Sequence, residues 1–187
     1  MAALVGSGVD RPRAKENEVF DTVGGLPLHA LVLHVVVIVL PLATLLALLF
    51  AYPRTRNWAR WPLAVVAVGA LGATFVTKES GEELEQALGI RAGNPVGDLI
   101  QEHEQLANQL LILVAVFTVI AVASSLLVSR LNVAPRRPPV AIEVGLPVLL
   151  VIAGLVMAFW VYRVGDIGSR AVWNPEGNVN YSTSAGQ

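Results

Sequence analysis

Residues Leu26–Tyr52, LPLHALVLHVVVIVLPLATLLALLFAY, decide the class of this chain. At about 1.5 Å per residue the run exceeds a bilayer hydrocarbon core of about 30 Å. It carries no Asp, Glu, Lys or Arg, so it reads as a membrane span. It also carries two histidines, His29 and His34, and an internal proline, Pro41. Ionisable groups at membrane depth are costly and tend to face a bundle interior or a polar cavity. The two histidines therefore need an explanation.

Three more apolar runs follow, about Pro62–Thr77, Leu106–Val128 and Val140–Tyr162. The second is short, but its helix can continue through KESGEELEQALG to residue 88 and stop at Gly89. The fold expected is all-α: a four-span membrane bundle over residues 26–170, with a polar lead at 1–25 and a flexible tail at 171–187. Pro41 and Pro147 are expected to kink the first and fourth helices. Gly69, Gly72 and Gly81 should make the second helix narrow enough for close packing. Asn94–Pro95 is a helix-start pair, with Asn as cap and Pro in the first turn. Helices two and three should then project beyond the outer membrane surface as a hairpin, by about 10–15 Å.

Composition agrees with the membrane class. The chain has 187 residues, of which 55% are hydrophobic and only 14% charged, with a mean hydropathy of +0.63. A formal net charge of −1 offers nothing to nucleic acid. The absence of cysteine excludes disulfides, thiolate metal sites and covalently attached haem. The N-terminal MAALVGSGVD has no basic region and too short an apolar run for a secretory signal.

Loop charge gives an orientation. One connection carries Arg54, Arg56 and Arg60, another Arg130, Arg136 and Arg137, and neither carries an acid. The connection between spans two and three is acidic: Glu79, Glu82, Glu83, Glu85, Asp98, Glu102 and Glu104 against Lys78 and Arg91. Positive residues stay inside, so both termini and the acidic connection are expected on the non-cytoplasmic side. The arginine loops could also meet anionic headgroups, although orientation alone accounts for them. Asn180-Tyr181-Ser182 matches a glycosylation sequon, a weak signal.

With that topology all three histidines and most acids gather at the outer end. One reading is a b-type haem held by His103 and one of His29 or His34. His29 and His34 lie five residues apart, about 140° around one helix, so both cannot serve one iron. His29 matches the height of His103 better. A second reading is a divalent metal held by Glu79 or Glu83, His103, a span-one histidine and Asp166. The Glu-x-x-His step of dinuclear carboxylate bundles is missing, because position 100 is Ile. A third reading is a proton- or quinol-handling site with His34 as a buried relay. Against these stand plainer roles: His29 snorkelling to the interface, His34 bonded to a backbone carbonyl or a Thr hydroxyl, His103 solvated between Glu102 and Glu104. No nucleophile elbow, phosphate loop, zincin motif or dinucleotide fingerprint is present, so autonomous enzyme chemistry is not expected.

The motif Leu26-Pro27-x-His29 with His34 and Pro41 resembles the opening of domain-of-unknown-function family 2231, small bacterial membrane proteins. Gly81, Glu82 and Glu85, then His103-Glu104, are similar to that family's acidic segment and His-Glu step. Gly165, Asp166, Gly168 and Trp173 resemble its ending, with Ser169 where many members carry a second glycine. The resemblance implies a four-helix membrane domain and assigns no activity. Fusions of relatives to redox modules imply an electron-transfer accessory role. The expectation is a non-enzymatic haem- or metal-binding accessory of a redox or respiratory system, meeting the lipid bilayer, a redox membrane partner or further copies of itself. The alternatives are a cofactor-free structural subunit and a small transporter or proton relay.

Overall fold

The computed structural model describes residues 22–23, 26–131 and 141–179. The sequon, most of the polar lead and most of the loop between spans three and four lie outside the described residues. A two-residue antiparallel bridge joins β1 (Thr22–Val23) to β2 (Leu26–Pro27). Four long helices follow: α1 (Leu28–Ala51), α2 (Arg56–Leu88), α3 (Pro95–Leu131) and α4 (Leu146–Trp173), the last entered through a π-helical turn at Ala141–Gly145. Each helix packs on its two neighbours, α1 on α2, α2 on α3, α3 on α4 and α4 on α1. The result is an all-α four-helix bundle.

The bundle is apolar inside and outside. Leu40, Ala43, Ala47, Leu63, Ala67, Val114, Ala121, Leu150 and Met157 are fully buried. Ile38, Val65, Val119 and Ile152 are more than half exposed on the outer face. An outer face of this kind suits lipid, and all four helices are long and apolar enough to cross a membrane. Lipid tails remove the hydrophobic drive between helices, so close approach through small side chains has to hold the bundle. The alanines at 59, 64, 67 and 70 give α2 that small inner face.

The helix ends follow local chemistry. Gly89 takes a left-handed φ of +63° and stops α2 after Leu88. Asn94 caps α3, its Oδ1 accepting the Gly97 N–H at 2.9 Å. Pro147 is the second residue of α4 and follows directly on the π-helical turn at Ala141–Gly145, so the helical path is irregular at this proline. Two expectations need correction. Gly69 and Gly72 face outward with nothing near them, and only Gly81 lies at a close contact. The fourth helix outlasts its apolar run and continues through Arg163, Asp166 and Arg170 to Trp173, because polarity ended the run without breaking the helix. Asp166 and Arg170 pair across that extra turn at 2.9 Å.

The chain folds as two hairpins of one pattern. Moving α1 forward by 74 positions (103 − 29) lays it on α3. Buried Val36, Leu40, Ala43, Thr44 and Ala47 then fall on Leu110, Val114, Phe117, Thr118 and Ala121, all buried. Moving α2 forward by 87 positions (168 − 81) lays it on α4. Buried Leu63, Ala67, Ala70, Thr77 and Ser80 fall on Leu150, Gly154, Met157, Val164 and Ile167, all buried. Since α2 meets α3 as α4 meets α1, a pseudo-two-fold axis runs along the bundle.

Candidate functional site

The axis passes between two histidines. His29, in the first turn of α1, lays its Nδ1 2.8 Å from the Thr77 carbonyl of α2. His103, in the third turn of α3, lays its Nδ1 3.0 Å from the Val164 carbonyl of α4. A carbonyl only accepts, so each Nδ1 must carry the proton and donate it. That leaves each Nε2 with its lone pair and no hydrogen-bond partner among the described residues. The ring centroids are 6.4 Å apart and the ring planes cross at 78°.

The surroundings repeat as closely as the histidines. A Cβ added at Gly81 would meet the His29 ring at 3.0 Å, and one added at Gly168 would meet the His103 ring at 3.0 Å, against the same two atoms. Each glycine stands four residues after the carbonyl that holds its histidine, one turn along the same helix. The glycines let the Nδ1–Cε1 edge of each imidazole come close against a neighbouring helix, where a larger side chain would force the ring to shift. Their adjoining segments are Thr77-Lys-Glu-Ser-Gly81 and Val164-Gly-Asp-Ile-Gly168.

A second pair of ties lies 15 residues further along, about 22 Å deeper. Thr44 of α1 donates to the Gly154 carbonyl of α4 at 3.0 Å, and Thr118 of α3 donates to the Ala67 carbonyl of α2 at 3.0 Å. These ties join the two hairpins, as does Ser125 donating to the Arg60 carbonyl at 2.7 Å. At the histidine end three hydrogen bonds among the described residues lie within a hairpin: His29 to Thr77, His103 to Val164, and the Trp160 indole N–H to Gln109 at 3.1 Å. The hairpins are thus stapled to each other at the arginine end, and each holds its own histidine at the other.

The structure brings together His29 and His103 from the candidate set and leaves the rest apart. His34 is exposed, with its Nδ1 on the Ala30 carbonyl of its own helix at 2.6 Å. The 140° turn that separates it from His29 directs it out of the bundle, so a buried relay through His34 does not fit. Glu79 lies two residues, or about 200°, from Thr77, and Asp166 lies two residues from Val164. Both therefore point away from the histidines. Glu79 is 3.5 Å from Lys78, and Asp166 is paired with Arg170. Glu83 has a buried, unpartnered Oε2, in a shallow pocket with Glu79, Phe75 and Val76 on the far side of α2. Among the described residues no group of three or more His, Asp or Glu is placed to hold a metal ion. The set of Glu79, Glu83, His103 and Asp166 does not converge, because height along the helices matched while direction around them did not.

Reading residues alone missed the two carbonyls, Thr77 O and Val164 O, and the paired glycines. A signal was present: His29 and Thr44 are spaced as His103 and Thr118 are. That repeat would have singled out His29 as the partner of His103. No curated protein and no solved structure matches the chain. A model of a family described as a predicted membrane protein matches residues 25–180, nearly all of the bundle, and the chain therefore belongs to family DUF2231.

Proposed function

We propose that this membrane protein is a redox accessory that holds one b-type haem between His29 and His103, at the end of the bundle facing away from the cytoplasm. The observation that carries the reading is the neighbouring imidazole pair, each anchored through Nδ1 with Nε2 left to ligate. Two imidazoles with free Nε2 lone pairs, on rings whose centroids are 6.4 Å apart, are a donor set that a b-type haem could take.

The chain's own residues do the preparatory work. Each Nδ1–H bond to a carbonyl fixes the ring, selects the tautomer and raises the basicity of Nε2. Gly81 and Gly168 set the ring positions, and the inter-hairpin staples at the opposite end leave the histidine end as the place where a flat group enters between hairpins. A bound haem supplies one-electron chemistry. A bare divalent ion is less well served, since two nitrogens with no third protein ligand make a poor site. The site serves electron exchange with a membrane redox partner, without catalysis of its own.

The test is an absorption spectrum of the detergent-purified full-length protein, expressed with haem supplied, oxidised and then dithionite-reduced, with elemental analysis of the same sample. Reduced b-type bands at one haem per chain support the reading. A colourless protein with stoichiometric metal points to the bare ion, and a colourless metal-free protein leaves a cofactor-free accessory subunit.

A further inference from the structure

The pseudo-two-fold pattern breaks at the arginine end of the bundle. In the register that pairs His29 with His103, Phe50 falls on Ser124, and in the register that pairs Gly81 with Gly168, Arg60 falls on Pro147. Phe50 and Ser124 are both 1% exposed, so a phenyl ring fills one place and a hydroxymethyl group the other. Arg60 lies on the side of α2 that faces α3. Its own carbonyl takes the Ser125 hydroxyl, and the Ala67 carbonyl two turns on takes the Thr118 hydroxyl. The Nε and Nη1 of Arg60 and the Oγ of Ser124 are buried without a hydrogen-bond partner. Among the described residues no carboxylate pairs with Arg60, and Glu143 at the same end is exposed.

Orphaned buried polar groups are rare in native proteins, and each one asks for a partner. Arg60 is half-buried, and the charge behind its shielded Nε and Nη1 is costly to leave without a partner. The orphaned groups here can all donate, and one bears a full positive charge, so the missing partner is an oxyanion. Its level in the bilayer is marked by Trp61, whose half-exposed ring lies 5.9 Å from the Arg60 guanidinium. Tryptophans of this kind sit at the headgroup level, and basic pockets between spanning helices receive phosphate headgroups there. We propose that Arg60 and Ser124 form a phosphate-binding site in the α2–α3 seam at the arginine end, taking the phosphate of an anionic phospholipid or a free phosphate. The site is separate from the histidine pair and does not depend on haem.

Native mass spectrometry of the full-length protein tests this, with phosphatidylglycerol or phosphatidylcholine added to the detergent and with inorganic phosphate as competitor. The expected result is one retained phosphatidylglycerol in preference to phosphatidylcholine. Arg60→Gln should weaken retention by about tenfold or more, the loss of a hydrogen bond to a charged group. Ser124→Ala should weaken it less. Ser124→Phe, which restores the residue of the other hairpin, should block the site, while Arg130→Gln at an exposed arginine of the same end should change nothing. Displacement by millimolar phosphate identifies a free-anion site, and resistance to it identifies a lipid site. Equal lipid retention by wild type, Arg60→Gln and Ser124→Phe, with the helical circular dichroism of all three alike, would overturn the proposal.

Discussion

The α1–α2 hairpin and the α3–α4 hairpin are the two regions to compare. They bury corresponding positions along most of their length, and each presents a histidine bonded to a carbonyl and laid on a glycine. Their outer charges have diverged freely. Where α4 pairs Asp166 with Arg170, the corresponding residues of α2 are two acids, Glu79 and Glu83. Lys78, one place away, turns to Glu82 instead. Agreement in the core with disagreement on the surface is what packing alone would give. Agreement in two half-buried imidazoles and their glycines asks for more, because those groups contribute little to packing.

The comparison can be broken most forcefully at the histidines. His29→Ala and His103→Ala should each abolish the b-type absorption, and His34→Ala should keep it, read from reduced-minus-oxidised spectra of the purified variants. The glycines come next. Gly81→Leu and Gly168→Leu push a side chain into an imidazole, and overpacking of this kind costs about 1–3 kcal/mol. Both should lower the melting temperature and weaken haem retention to similar extents. A large effect at one glycine and none at the other would show that the halves are not equivalent there.

The threonine staples sharpen the comparison. Thr44→Val and Thr118→Val each remove one inter-hairpin hydrogen bond, about 0.6–2 kcal/mol in a membrane bundle. Their effects on thermal stability in detergent should match and should leave the haem bands in place. The smallest effect is expected at the surface pairs. Arg170→Gln should shift stability by about 0–1 kcal/mol, since exposed ion pairs contribute little.

Much of the architecture is legible in the residues. Four long apolar runs, Gly89 as a stop and Asn94–Pro95 as a start are enough to draw the bundle, because span length and cap chemistry are local. The direction in which a side chain points is not local. Height along the helix favours His29 over His34 in the sequence, but which of the two faces the bundle depends on how α1 is rotated against α2. Glu79 and Asp166 were expected at the site because they share its height, yet each sits about 200° from the residue that faces a histidine. The atoms that anchor the histidines are backbone carbonyls, which leave no trace in residue type. The repeat is legible only as spacing, His29 to Thr44 and His103 to Thr118, because most of the residues between differ.

The measurement that goes most directly to the central claim is electron paramagnetic resonance of the ferric protein, taken on wild type, His29→Ala and His103→Ala together. Two opposed imidazoles on one iron predict a low-spin signal in the wild type, and its loss in both variants to the same degree. A wild-type signal that persists in either variant would contradict the account, since it would leave that histidine outside the site and the symmetry of the two hairpins without a shared task.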